Sequence, residues 1–226
     1  MITNFWNAHV REYDEHAMSR LHVGPMAPVW TSVWTAVLPA PPADILEVGA
    51  GTGQMTALLG AAGYRVTATD LAEGMLEAGR RRCAHLGGRV RFETGDAVRP
   101  AFGPESFDAV VSRYLLWTLL DARQAVAAWV RLVRPGGVVM IVDGAWFDAE
   151  IPVTGDSPYD SRLVERLSFA RWRGVDEIVA LLRGCGLSAV RADPLDEVTR
   201  WERAELPPAD TAPQFRIWGR RPPGRP

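Results

Sequence analysis

The stretch from Asp44 to Gly53 restricts the fold more than any other part of the chain. A short apolar run, Ile45-Leu46-Glu47-Val48, leads into glycines at positions 49, 51 and 53, and a helical pattern begins at Gln54. Glycine permits open backbone angles and the close approach of a ligand, and the start of the following helix presents free N–H groups. This strand–bend–helix segment predicts a ligand-binding bend at the edge of a sheet.

Short apolar runs alternate with helical patterns as far as residue 143. Strands are predicted at 45–48, 64–69, 90–93, 107–112 and 138–142, with helices at 54–62, 72–85 and 121–132 between them. After a predicted loop at 144–160, helices are expected at 161–172 and 175–183, and strands at 187–191 and 214–218. This alternation predicts an α/β domain in which helices cover both faces of a largely parallel sheet.

Composition and charge restrict the classes of partner. The 226 residues are 47% hydrophobic and 23% charged, with a formal net charge of -2, so the chain lacks the basic surplus typical of nucleic-acid-binding domains. No apolar run approaches the ~20 residues of a membrane span, and the first residues do not resemble a signal peptide. Cys83 and Cys185 lack the spacing of metal ligands or of a redox pair. We therefore expect a cytoplasmic protein with reduced thiols, no metal, and neither a nucleic-acid nor a membrane partner.

The spacing of the glycines separates two kinds of cofactor. The dinucleotide fingerprint GxGxxG requires a glycine at position 54, where this chain has Gln54. Glu47 lies two positions before the first glycine, and its carboxylate would repel a pyrophosphate but can pair with an ammonium group. S-adenosylmethionine has an α-ammonium group and no phosphate, so the electrostatics favour this ligand.

The pattern Glu47-x-Gly49-x-Gly51-x-Gly53 resembles motif I of the class I S-adenosylmethionine-dependent methyltransferases, and further features follow in the order found in that family. Asp70 ends the second strand, Gly95-Asp96-Ala97 follows the third, and 107–113 and 132–137 resemble the later motifs. The resemblance covers roughly residues 44 to 143. It implies a Rossmann-like fold with seven mostly parallel strands between helices, S-adenosylmethionine as cofactor and S-adenosylhomocysteine as product.

The resemblance also implies roles for single residues. In the family, the acid at the position of Asp70 bonds both ribose hydroxyls, and the acid at the position of Asp96 bonds the adenine amino group. The predicted cofactor-binding residues are Tyr13, Glu47, Gly49, Ala50, Gly51, Gly53, Asp70, Leu71, Met75, Asp96, Ala97, Ser112 and Arg113.

Residues 112–119 resemble a bacterial subgroup of small-molecule methyltransferases whose members often read RHVLWxLPDP. This chain departs from that pattern, with Tyr114 in the histidine position and Leu120 in the proline position. Trp6 and Tyr13-Asp14 resemble the helix that covers the cofactor in this subgroup. The predicted domains are an N-terminal helical lid at 1–40, a Rossmann-like domain at 41–220 with a substrate-side insertion at 144–174, and a flexible tail at 221–226.

Methyl transfer from a sulfonium is an in-line displacement, which requires a well-placed nucleophile and a destination for its proton. Candidate catalytic residues are Tyr114, His22, Tyr13 and His16, whereas His85 is expected at the surface; activation by proximity alone is an alternative. Aromatic walls suit a planar acceptor. The predicted acceptor-binding residues are therefore Tyr114, Trp117, Trp146 and Trp30.

The sequence thus predicts a methyltransferase that modifies an O, N or electron-rich C atom of a small aromatic or alkaloid-like metabolite. The fourth-strand region lacks the D/NPPY motif, which disfavours adenine N6 and glutamine methylation. Two alternatives are a non-catalytic methyltransferase-like scaffold and an NAD(P)-dependent reductase, although a chain without lysine cannot supply the reductases' Tyr-xxx-Lys pair. The oligomeric state is left open, a homo-oligomer included.

Overall fold

The computed structural model describes residues 2–15, 24–145, 159–169, 171, 174–206 and 211–224. Their strands form one seven-stranded sheet in the order β3-β2-β1-β4-β5-β7-β6. The strands are β1 (Asp44–Val48), β2 (Arg65–Asp70), β3 (Val90–Thr94), β4 (Phe107–Arg113), β5 (Val133–Gly144), β6 (Ser188–Pro194) and β7 (Gln214–Arg220). The first five strands are parallel, and β7 is antiparallel to both β5 and β6. The predicted seven-stranded, mostly parallel sheet is confirmed.

Helices flank this sheet on both faces. They are α1 (Ile2–Ala8), α2 (Val10–Glu15), α3 (Ala27–Thr35), α4 (Gln54–Ala61), α5 (Glu73–Cys83), α6 (Ala122–Leu132), α7 (Ser161–Val164), α8 (Val175–Gly184) and α9 (Asp196–Glu205), with 3-10 turns at Gly24–Met26, Ala84–Arg89 and Leu116–Thr118. Among the described residues, none of the helices combines the length and the apolar character needed to cross a membrane.

Each face of the sheet has its own apolar core. On one face, α6 and α8 contribute Trp129 and Leu182, both without exposed surface, and the Trp129 indole N–H donates to the carbonyl of Ala97. On the other face, α3 contributes Trp30 and Trp34, which pack with residues of α4 and α9. The helix α3 therefore belongs to the core of the domain, although the sequence places it in a lid.

Four features differ from the sequence-based expectation. The α7 helix ends at Val164 instead of 172, because the chain turns to bond the start of α6 through Ser168. Residues 134–137, whose proline and glycines favour a turn before the strand predicted at 138–142, are part of β5, and the α9 helix was not predicted. Arg221 was assigned to a flexible tail, but its side chain donates to the carbonyl of Val133 at 2.6 Å and pairs with Glu105 at 2.8 Å. The backbone pairing of β7 with β5 continues past Arg220, since the Arg221 N–H donates to the Gly137 carbonyl and the Arg221 carbonyl accepts the Gly136 N–H. These bonds hold Arg221 against the sheet.

Candidate functional site

The bend after β1 is a narrow loop shaped by three glycines in the left-handed region. Gly49, Gly51 and Gly53 have φ values of 69°, 53° and 75°, which other L-residues adopt only with strain. A Cβ at Gly49 would lie 2.7 Å from a methyl carbon of Leu115, and one at Gly53 would lie 2.9 Å from the Cα of Gly79. The loop therefore requires glycine both for its backbone angles and for the close approach of its neighbours.

Asp70, at the end of β2, holds this loop in place. One carboxylate oxygen accepts the Gly51 N–H at 2.9 Å, and the other accepts the Ala72 N–H at 2.9 Å. Partial burial raises the pKa of Asp70, and these backbone N–H donors oppose the rise. The carboxylate thus ties the ends of β1 and β2 together at the edge of the sheet.

Glu47 is buried just before the loop. It is only 2% exposed, and its carboxyl group accepts a hydrogen bond from the Thr56 hydroxyl at 2.5 Å. Desolvation raises its pKa to about 8, whereas Thr56 and the Arg113 guanidinium oppose the rise and Asp70 adds to it. A cation that reached this carboxyl group would favour its ionised form.

The neighbouring strand ends supply the remaining predicted cofactor residues. Leu71, next to Asp70 in the chain, is 48% exposed, while Met75 of α5 is buried. Asp96 is half-buried, and one carboxylate oxygen accepts the Val98 N–H at 2.8 Å. Ala97 and Ser112 are buried, and the Ser112 hydroxyl has no hydrogen-bond partner in the structure. The β1, β2, β3 and β4 ends are therefore adjacent, as the order of the sheet requires.

The first two helices lie over the glycine loop. The Tyr13 ring on α2 is 3.4 Å from the position that a Cβ at Gly51 would occupy. Asp14 accepts the Thr52 hydroxyl at 2.6 Å and pairs with Arg82 of α5 at 2.5 Å, and Asn7 of α1 accepts the Gly74 N–H. These contacts clamp residues 2–15 onto the loop and α5.

We expect Asp14→Asn to loosen this clamp. The change keeps the side-chain size but removes the charge that faces Arg82, and a partly exposed ion pair of this kind contributes about 1 kcal/mol. Amide hydrogens in residues 2–15 should therefore exchange about fivefold faster, with β4 unaffected, when exchange is followed by mass spectrometry. Glu12→Gln, on the exposed side of α2, is the control. Equal protection in both variants would show that Asp14 does not hold the helices.

The end of β4 carries a second group of polar and aromatic residues. The Arg113 guanidinium lies 4.3 Å from the centre of the Tyr114 ring and 5.5 Å from that of Trp30. The Tyr114 hydroxyl donates to the side-chain oxygen of Gln214, and burial raises its pKa. The Tyr114 backbone has a φ of 56°, and its N–H donates to the Val142 carbonyl.

The predicted acceptor-side residues are only partly brought together. Trp117 packs against Tyr159, with ring centres 5.4 Å apart, in a small cluster that includes Ile2 of α1. Trp30 has no exposed surface, because it packs in the core beneath Arg113. His16, His22 and Trp146 lie outside the described residues. His85 is exposed, as expected.

Four residues at this edge were missed by the sequence analysis as candidate site residues. They are Leu115, Glu202, Gln214 and Asp14, of which Asp14 was named only as part of the helix that covers the cofactor. Sequence signals for α9 do exist, since Asp196 and Glu197 in its first turn follow Pro194, and Pro207 lies beyond its end. Within the ranges that the structure describes, no three His, Cys, Asp or Glu side chains gather as a metal site would require.

Comparison with known proteins finds similarity to the central part of the chain. Residues 46–141 match the family described as a methyltransferase domain. Demethylmenaquinone methyltransferase of Clavibacter sepedonicus is 41% identical over 108 residues, which cover 48% of this chain and 44% of that protein. An O-methyltransferase of Penicillium expansum is 32% identical over 165 residues, covering 72% and 58%. The chain spans about half the length of the curated relatives it matches.

Solved structures share the fold over most of the chain. Haemonchus contortus phosphoethanolamine N-methyltransferase 2, in complex with phosphomonomethylethanolamine and S-adenosylhomocysteine, has a TM-score of 0.72 at 16% identity, covering 98% of this chain and 61% of that one. The cyclase SpnF has a TM-score of 0.66 at 17% identity, covering 88% and 82%. Because a cyclase also has this fold, the reaction has to be argued from the site.

Proposed function

We propose that this chain is a class I S-adenosylmethionine-dependent methyltransferase, since residues 46–141 match a methyltransferase domain, and that it transfers a methyl group to an O, N or electron-rich C atom of a small aromatic or alkaloid-like metabolite. The observation that carries the proposal is the glycine bend tied to Asp70, with buried Glu47 directly before it. The two curated relatives described above are named as a demethylmenaquinone methyltransferase and an O-methyltransferase, which supports methyl transfer to a small molecule.

The residues at this edge fit S-adenosylmethionine by charge and by space. Glu47 would face the α-ammonium group, since both the desolvated carboxyl group and the cation gain from pairing. Asp70 would bond the ribose hydroxyls while retaining its backbone donors, and Asp96 with Ala97 would face the adenine. The backbone of the loop at Gly49, Ala50, Gly51 and Gly53 would lie against the ligand, and its three glycines supply the left-handed backbone angles. Leu71, Met75, Ser112 and Arg113 would complete the surroundings.

When bound, the cofactor supplies a methyl group activated by its sulfonium. The protein's own contribution is to hold the acceptor in line with that methyl group, to exclude water and to accept a proton. Tyr13 and the clamp formed by α1 and α2 would cover the cofactor, which assigns the lid function to residues 2–15. Trp117 and Tyr114 would contact the acceptor, together with Trp146 from the proposed insertion at 144–174.

Tyr114 has a different part in proton transfer from the one expected from sequence. Burial raises its pKa, so the phenol stays protonated near neutral pH and acts as a hydrogen-bond donor, as it does towards Gln214. Burial also raises the pKa of Tyr13. His16 and His22 remain proposed proton acceptors, and transfer by proximity alone remains the alternative for an amine.

The proposal is tested by binding followed by turnover. Calorimetry with S-adenosylhomocysteine and with NADP should show binding of the first and not of the second. Incubation with methyl-labelled cofactor and a pool of phenols, amines and indoles should then yield a methylated product by mass spectrometry. Binding without any turnover would support a scaffold, and binding of NADP alone would support a reductase.

We expect Trp117→Ala to impair acceptor binding selectively. Loss of the indole removes an aromatic surface beside Tyr159, and such anchors contribute about 2 kcal/mol or more when buried against a ligand. The KM of the acceptor found in the labelling experiment should rise at least about tenfold, while the affinity for S-adenosylhomocysteine is unchanged. Leu120→Ala, at an exposed position nearby, should leave both values unaltered. An unchanged acceptor KM would exclude Trp117 from the acceptor site.

A further inference from the structure

The α9 helix brings a buried acid to the end of the sheet where β4 and β5 terminate. Glu202 has no exposed surface, and its carboxylate oxygens make no hydrogen bond of normal geometry, although the Gln214 amide lies close enough to lower the pKa of Glu202 as a donor. The α9 helix is joined to the start of β7 by the Gln214 N–H, which donates to the Thr199 hydroxyl at 3.4 Å. Glu202 is therefore fixed by the fold and is not a mobile surface side chain.

Polar groups from two strands face this acid. Arg113 of β4 acts on it as a nearby cation, and the Gln214 side chain of β7 lies beside it. The Arg113 Nη1 and Gln214 Nε2 atoms are also buried without hydrogen-bond partners. The Tyr114 hydroxyl donates to the Gln214 side chain, and the charges of Glu202 and Asp143 both raise the pKa of Tyr114. Two buried donors, Arg113 and Gln214, and one buried acceptor, Glu202, thus lie within one small polar region.

Such a group of polar atoms is unusual for a purely structural core. Buried polar atoms are nearly always hydrogen-bonded, and a buried charge without hydrogen bonds is strongly destabilising. The region also lies where open α/β sheets bind ligands, beyond the carboxyl ends of the parallel strands. Arg113 is paired with Val142 across β4 and β5, and Gln214 is paired with Gly144 across β5 and β7.

We propose that Glu202 takes the proton from a phenolic hydroxyl of the methyl acceptor while Arg113 and Gln214 hold that oxygen. This inference rests on the proposed methyltransferase function and narrows its acceptor to phenols. The O–H bond breaks and its proton passes to the Glu202 carboxylate, while the oxygen lone pair forms the bond to the methyl carbon. The electron pair of the broken C–S bond stays on sulfur, so the products are an aryl methyl ether, S-adenosylhomocysteine and protonated Glu202.

The charges around Glu202 favour a phenol over an amine. The Arg113 guanidinium would repel an ammonium group but stabilise the negative charge that develops on a phenol oxygen. The Tyr114 ring, stacked under that guanidinium, offers a flat surface to an aromatic acceptor. Desolvation raises the pKa of Glu202 to about 7, with Gln214 and Arg113 opposing the rise, and a base of this strength suits proton transfer near neutral pH.

The test measures binding first, on the full chain saturated with S-adenosylhomocysteine. Calorimetry at pH 7.5 compares catechol with 1,2-dimethoxybenzene, which lacks the acidic hydrogen, and with benzylamine. Catechol should bind best, and Glu202→Gln should weaken its binding about tenfold or more without changing the affinity for S-adenosylhomocysteine. Glu197→Gln, at an exposed position of the same helix, should bind catechol as the unaltered chain does.

The pH profile provides a second readout. Methylation of catechol should rise with pH through about 7 as Glu202 ionises; this rise should disappear in Glu202→Gln and return in Glu202→Asp. Equal catechol binding by Glu202→Gln and the unaltered chain, or stronger binding of benzylamine, would overturn the assignment to Glu202. Binding of S-adenosylhomocysteine without catechol would overturn only this inference, whereas failure to bind S-adenosylhomocysteine would overturn the proposed function as well.

Discussion

Asp70→Ala is expected to weaken the binding of S-adenosylhomocysteine at least about a hundredfold. The carboxylate is proposed to bond both ribose hydroxyls, and hydrogen bonds to a charged group contribute about 1.5–3 kcal/mol each. Their loss together corresponds to two or more factors of ten, at about 1.4 kcal/mol per factor. The Gly51 and Ala72 N–H groups also lose their acceptor, so the loop that surrounds the cofactor loosens.

Calorimetry measures this effect, and a nearby acid provides the matched control. Glu73 lies three positions further along, is exposed, and pairs with Arg80 and Thr94. Glu73→Ala should alter the dissociation constant by less than about twofold, since surface pairs contribute little. If Asp70→Ala kept near-normal affinity while remaining folded by circular dichroism, the proposed cofactor position would be wrong.

Glu47→Gln is expected to stabilise the ligand-free protein at neutral pH. The pKa of Glu47 is raised from 4.5 to about 8 in the folded state, so the folded chain binds a proton that the unfolded chain releases. Its stabilising contribution is complete below pH 4.5 and is lost as the pH rises through about 8. At about 1.4 kcal/mol per pH unit, wild-type stability should fall by roughly 3 kcal/mol between pH 4.5 and 7, and glutamine avoids this loss.

Urea unfolding at pH 4.5 and pH 7 tests this expectation. The two chains should have similar free energies of unfolding at the lower pH and differ by roughly 3 kcal/mol at the higher one. The raised pKa of Glu202 also makes the free energy of unfolding fall as the pH rises to about 7. Glu47→Gln should therefore reduce the dependence of this free energy on pH without abolishing it. The exposed control Glu77→Gln should follow the wild-type curve. Parallel curves for Glu47→Gln and wild type would show that Glu47 is ionised in the folded chain.

The cofactor half of the site was predictable because its signals are local. Glu47, the three glycines and Asp70 lie within 24 consecutive residues of a strand–helix–strand unit, and the required backbone angles leave glycine as the suitable residue. The same local patterns predicted both ends of β1, β2, β3 and β4 to within one residue. The β5 strand starts five residues earlier than predicted, because backbone pairing of Val133 with Phe107 overrides the proline and glycines that suggested a turn.

The acceptor half could not be predicted in the same way, because its contacts join distant parts of the chain. Tyr114 and Gln214 are 100 positions apart, and no periodic pattern marks such a pair. Glu202 looks like an ordinary polar residue of an amphipathic helix until the packing of α9 against α3 turns it inward. The burial of Trp30 depends on the same packing, so sequence reasoning placed an aromatic wall where the protein has a core.

The reversed direction of β7 has a consequence for how such a protein can diversify. Residues proposed to hold the cofactor end at Arg113, whereas β6 ends at Pro194 and β7 begins at Gln214, both at the same edge of the sheet. Exchange of residues 195–213 between relatives would therefore replace Glu202, the proposed proton acceptor, while every proposed cofactor contact stays in its native sequence context. We expect recombination at the ends of β6 and β7 to be a practical route to new acceptors on this scaffold.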